Sequence, residues 1–136
     1  MSKNLFKFDI KTEKAQQMID ITHLLRQAIE QSEIREGIAV VYCPHTTAGL
    51  TINENGDPDV VRDIIEALNR VFPVNASYRH FEGNSHAHIK SSLVGVEKNI
   101  IISEGKPVLG TWQSLYFCEF DGPRRRNLFI KIIEMK

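Results

Sequence analysis

The chain has 136 residues, 42% of them hydrophobic and 25% charged, and its 17 basic and 17 acidic side chains cancel to a formal net charge of zero. One domain spanning 1–136 is expected, long enough to bury a core without staples, and the balanced charge argues against non-specific nucleic-acid binding. No apolar run approaches the ~20 residues of a membrane helix, so no membrane partner is expected. Cys43 and Cys118 each sit in an apolar strand-like run and read as buried thiols, which fits a cytoplasmic protein. The opening Met-Ser-Lys-Asn lacks the apolar core of a signal peptide.

Residues 4–10 alternate, with Phe6, Phe8 and Ile10 on one side, as in a half-buried strand. Asp20 or Thr22 can cap a helix whose apolar positions run from Ile21 to Ile29, with Gly37 as its stop. Gly37 to Cys43 is apolar on both faces and reads as a central strand, ended by Pro44. Leu50 to Asn53 alternates as a partner strand. Asp57-Pro58 marks a helix start, and Val60, Val61, Ile64, Ile65, Leu68 and Phe72 form its stripe before Pro73. A polar loop of about twelve residues follows, near the length at which loops tend to be functional.

Residues 85–95 admit two readings. As a strand, His86 and His88 share a face; as a short helix capped by Ser85 and stopped by Gly95, they point ~200° apart. The helix is favoured. Strands at 96–103, 112–120 and 126–135 complete the chain, with a hairpin turn at 104–107. The sum is an α+β fold: a mainly antiparallel β-sheet with two longer helices and one short helix.

Three segments carry the polar chemistry and are expected to line one pocket: 44–54, 85–110, and 109–113 with 119–124. His45, His86 and His88 are candidate metal ligands, for zinc or magnesium. Glu54 suits a general base or a hard-cation ligand, whereas Asp57 before Pro58 is a helix cap. Trp112, flanked by Gly110, Thr111 and Gln113, could stack a flat ring. Glu119 interrupts an apolar strand and needs a His or Arg partner. Arg124 and Arg126 follow a tight turn and suit phosphate or carboxylate. His80 is an outlying candidate.

The runs His45-Thr46-Thr47-Ala48-Gly49-Leu50-Thr51-Ile52-Asn53-Glu54, Ala87-His88-Ile89-Lys90-Ser91-Ser92-Leu93, Leu109-Gly110-Thr111-Trp112-Gln113 and Glu119-Phe120-Asp121-Gly122-Pro123-Arg124 together resemble the YjbQ family, in order and over nearly the whole chain. Some members of that family are described as secondary thiamine-phosphate synthases. The resemblance implies an α+β sheet fold that assembles as a homotrimer, with its site near the subunit contacts. It implies catalytic roles for His45, His88, Glu54 and Glu119. Thr46, Thr47, Asn53, Asn84, Trp112, Gln113 and Arg124 are expected to bind substrate. Phe120 to Pro123 matches one of two family endings; the other carries a further His. The expected function is an enzyme acting on a small phosphorylated metabolite, by condensation that releases pyrophosphate. The alternatives are a metal-dependent phosphoester hydrolase and a non-catalytic small-ligand-binding oligomer.

Overall fold

A computed structural model describes residues 4–136. The fold is mixed α+β, with antiparallel pairing throughout both sheets. Its strands are β1 (Leu5–Lys11), β2 (Gln17–Asp20), β3 (Gly37–Tyr42), β4 (Ala48–Glu54), β5 (Glu97–Ser103), β6 (Lys106–Pro107), β7 (Gln113–Glu119) and β8 (Arg125–Glu134). Three helices interleave with them: α1 (Thr22–Ser32), α2 (Pro58–Val71) and α3 (Ser85–Val94). The strands form a five-stranded sheet, ordered β1-β8-β3-β5-β6, and a three-stranded one, ordered β2-β7-β4. The division into two sheets, and β2 itself, go beyond the sequence reading.

Alternation decides the layers. Ala39, Val41, Ile100, Ile102, Leu128, Ile130 and Ile132 turn inward from the larger sheet, and Leu50, Leu115 and Phe117 from the smaller. Leu25, Ala28 and Ile29 of α1 join this core. The opposite face of β7 carries Tyr116 and Cys118, which pack with Phe120 and Ala87 against Val61 and Leu68 of α2. Val60, Ile64 and Ile65 of α2 are also only half-buried. On the outer face of the larger sheet, Ile38 pairs laterally with Ile101 and Ile133, and no helix among the described residues covers that row; Ile101 is 63% exposed.

The ends of α1 differ from the sequence reading. The Thr22 amide donates to Asp20 Oδ1 at 2.9 Å, and the helix stops at Glu33, which takes a left-handed φ of 61°. Gly37 does not stop α1 but opens β3, as its strand reading had it, and a Cβ there would lie 2.0 Å from the Ile133 carbonyl oxygen. Asp57 caps α2 as expected, accepting from the Asp59 amide at 2.9 Å. Residues 85–94 are helical, and Asn84 rather than Ser85 is the cap.

The wall between α3 and β4 is tight. The Leu50 amide donates to the Gly95 carbonyl at 2.9 Å, and a Cβ on Gly49 would sit 2.7 Å from that same oxygen. Gly49→Ala is therefore expected to lower folding free energy by about 1–3 kcal/mol, as overpacking against backbone does. A denaturant melt checks this; an unchanged midpoint would mean that the α3–β4 contact relaxes freely.

Candidate functional site

The chain leaves β3 at Pro44, crosses the end of β4 and thereby sets His45 and Thr46 against α3. There a cleft of about 570 Å³ opens between Tyr42, Pro44, His45, His88, Ser91 and Val96. A second hollow of about 400 Å³ shares Pro44, His45, Thr46 and His88 with it, and adds Thr47, His80, Asn84 and Arg124. The two form one groove with an apolar arm and a polar arm. Thus His45, His88, Thr46, Thr47, Asn84 and Arg124 meet as the sequence suggested, and His80 and Glu82 join them.

The two imidazoles of the groove have different characters. His45 Nε2 accepts the Asn127 amide at 2.8 Å. That bond assigns the proton of the neutral ring to Nδ1. Burial, and then the Arg126 charge, push its pKa below the usual imidazole range. His45 is thus a fixed, neutral donor. His88 makes an edge-on contact with His80, ring centroids 5.4 Å apart, and lines both arms.

Behind the groove lies a buried ion pair. Glu119 is fully buried and takes both Arg126 Nε, at 2.9 Å, and Arg126 Nη2. Thr12 Oγ1 donates to the same carboxylate at 2.7 Å, and the Asp121 amide at 3.0 Å. Burial alone would push the carboxyl up, but these hydrogen bonds and the Arg126 charge outweigh it and hold Glu119 below its usual range. Arg126 also donates to Thr47 Oγ1 at 2.9 Å. The expectation that Glu119 needs a His or Arg partner is met by Arg126. A carboxylate with both oxygens engaged in this way supports the fold, and it holds Arg126 and Thr47 in the groove wall.

Arg124 is the accessible cation. Its Nε donates to the Asp121 carbonyl at 2.7 Å and its Nη2 to Asp121 Oδ2 at 2.8 Å, so the guanidinium is held in place with donors to spare. Asn84 Nδ2 donates to the same Oδ2 at 2.9 Å, while Asn84 Oδ1 is buried without a partner.

Four expected site residues lie elsewhere. Register pairs Ala48 with Glu119 at the groove end, and Glu54 with Gln113 at the far end. Six residues of strand separate these by about 20 Å. Asn53, Glu54, Trp112 and Gln113 therefore do not share the groove, which corrects the expectation of one pocket within the chain. Trp112 is 66% exposed and lies over Gly56, Gln113 Oε1 accepts from the Gly110 amide at 2.8 Å, and Asn53 Oδ1 accepts from the Glu54 amide at 2.7 Å.

The three imidazoles do not fit a single metal. On α3, His86 and His88 project from opposite sides, and His86 Nδ1 faces Lys90 Nζ at 2.8 Å. His45 spends its one lone pair on Asn127. Among the described residues no group of three or more His, Cys, Asp or Glu is placed to hold a metal ion. Both cysteines are free thiols, Cys43 pushed up to about 11 and Cys118 to about 12, first by burial. No helix among the described residues is long and apolar enough to cross a membrane.

The sequence reading missed Lys90. It is fully buried, yet it reads in the sequence as one more surface lysine on a short polar helix.

Comparisons with known proteins agree with this fold. Residues 6–135 match the family described as UPF0047 protein YjbQ-like. A UPF0047 protein of Methanocaldococcus jannaschii is 58% identical over 96% of this chain and 95% of its own length. The UPF0047 protein YugU of Bacillus subtilis is 50% identical over 91% and 95%. A crystal structure of an uncharacterized YjbQ/UPF0047 protein from Clostridium acetobutylicum superposes with a TM-score of 0.93 at 58% identity, covering 94% of this chain and 99% of that one. A YbjQ-like protein of unknown function from Sulfolobus solfataricus gives 0.92 at 30% identity, covering 96% of each.

Proposed function

The chain belongs to the YjbQ-like UPF0047 family, and from its groove we propose that it is an enzyme acting on a small phosphate-bearing metabolite. The observation that carries this reading is the convergence of Arg124, Thr46, His45 and His88 on one polar arm beside an apolar one. Arg124 offers a planar, pre-positioned cation for a phosphate. The Nδ1–H of His45 and the Thr46 hydroxyl add neutral donors. Pro44, Val96 and the neutral Cys43 thiol make a wall for a ring. His88, free of a carboxylate orienter among the described residues, takes the proton-transfer role.

The reaction we assign to this groove is condensation of a pyrimidine pyrophosphate with a thiazole phosphate, with release of pyrophosphate. Arg124 and the neutral donors would stabilise charge on the departing group. We further assign the uncovered face of the five-stranded sheet to the contacts of a homotrimer. Tyr42 belongs both to that face and to the groove, so a neighbouring copy would close the apolar arm. A cytoplasmic setting is in keeping with the two free thiols.

The test is thiamine phosphate formation by purified protein beside His88→Ala. Formation by the wild type and its loss in the variant are expected. Equal rates for both, or no product, refute the reaction; phosphate released from simple esters by the wild type would favour hydrolysis.

A further inference from the structure

Lys90 is fully buried, and among the described residues its charge lacks an ion-pair partner. Its Nζ lies 2.5 Å from Asn69 Oδ1 of α2, 2.8 Å from His86 Nδ1 of α3 and 3.5 Å from Gln16 Oε1 of the β1–β2 connection. All three are neutral acceptors, arranged for the three donors of an ammonium. Accepting at Nδ1 places the His86 proton on Nε2. Among the described residues no carboxylate forms an ion pair with Lys90. The neighbouring cations are compensated: Glu119 takes Arg126, and Asp121 takes Arg124.

Burying an unpaired ammonium costs more than burying a methionine of similar length. Fold stability alone therefore gives no reason for a lysine at this position. Its placement does. His86 and Lys90 are one turn apart on the inner side of α3, and His88, between them, projects into the groove. The cap of the same helix, Asn84, also lines the groove. The ammonium thus lies on the side of α3 turned away from His88, with the helix between it and the groove.

We propose that Lys90 is a buried counter-charge for the groove: it attracts the anionic end of the ligand through α3 without touching it, and fixes the helix that presents His88 and Asn84. This rests on the phosphate-binding reading of the groove and adds to it a residue outside the contact shell. The groups facing the ammonium are His86 on α3, Asn69 on α2 and Gln16 on the β1–β2 connection, with the Asp121 carboxylate acting on His86 from beyond. Burial lowers Lys90 to about 8. Cys43 in the groove stays a thiol to about 11. An affinity change between pH 7.5 and 9.5 that Lys90→Met abolishes reports on the amine.

The experiment is calorimetric titration with sulfate, a dianion across this range, of wild type, Lys90→Met and Lys90→Arg, with a melt of each to establish folding. Wild type is expected to bind at least about five-fold tighter than Lys90→Met at pH 7 and to lose that advantage by pH 9.5. Lys90→Met is expected to give a flat profile, and Lys90→Arg to keep the affinity at both values. Should Lys90→Arg not fold, the wild-type profile against Lys90→Met still decides. Equal affinities and parallel profiles for wild type and Lys90→Met overturn the proposal while leaving the groove reading intact. Absence of sulfate binding by wild type at pH 7 overturns both.

Discussion

Glu119→Gln is expected to lower the folding free energy by about 3–5 kcal/mol, because it leaves the buried Arg126 guanidinium without its carboxylate. Arg126→Met should cost a similar amount from the other side, stranding the carboxylate. The double variant Glu119→Gln/Arg126→Met is expected to cost clearly less than the sum, since neither charge then remains buried alone. Denaturant melts of the four proteins give the coupling. Additive losses would mean that the pair does not act as a unit. The pair also sets acid stability. The Glu119 carboxyl is depressed in the folded protein, so its contribution is complete above the unfolded value of about 4.3 and drains away as pH falls through the lower folded one. Wild type should lose stability more steeply than Glu119→Gln below about pH 4.3 and run parallel to it between about pH 6 and 8.

His88→Ala is expected to reduce turnover by about 10²–10⁴, the range spanned by a positioned acid or base, while leaving the melt nearly unchanged. The His88 ring lines the open groove and meets His80 edge-on; Ser92 Oγ bonds the His88 backbone carbonyl, which the substitution keeps. His45→Ala should differ in kind, because it also strips the acceptor from the Asn127 amide beside the buried pair. Loss of activity with an intact melt in His88→Ala, against loss of both in His45→Ala, separates a chemical from a supporting imidazole. Full activity in His88→Ala would remove it from the mechanism.

Much of the fold was legible in the residues. The stripe from Val60 to Leu68 and the Asp57-Pro58 start marked α2 directly, alternation marked β1, β4 and β7, and an apolar run marked β3. Strand β2 escaped because Met18 and Ile19 are the sole apolar pair in a polar stretch. The choice at residues 85–94 mattered most. As a helix it sends His86 inward to Lys90 and His88 outward to His45, so the histidine pair splits.

The expected single pocket failed for a related reason. His45 and Glu54 sit in one motif, but an extended strand runs between them and carries Asn53 and Glu54 to the opposite end of the sheet. Motif continuity along the chain said nothing of distance in space. Lys90 was invisible for want of any local signal: its acceptors come from positions 16, 69 and 86.

The most direct check is an amide chemical-shift titration of the full chain with sulfate. An anion held in the groove should move the resonances of Thr46, Asn84 to His88 and Arg124, and leave Asn53, Glu54, Trp112 and Gln113 in place. Shifts clustered instead at the Glu54–Gln113 end, with Arg124 and His88 unmoved, would contradict the assignment of the groove as the place where this protein meets its ligand.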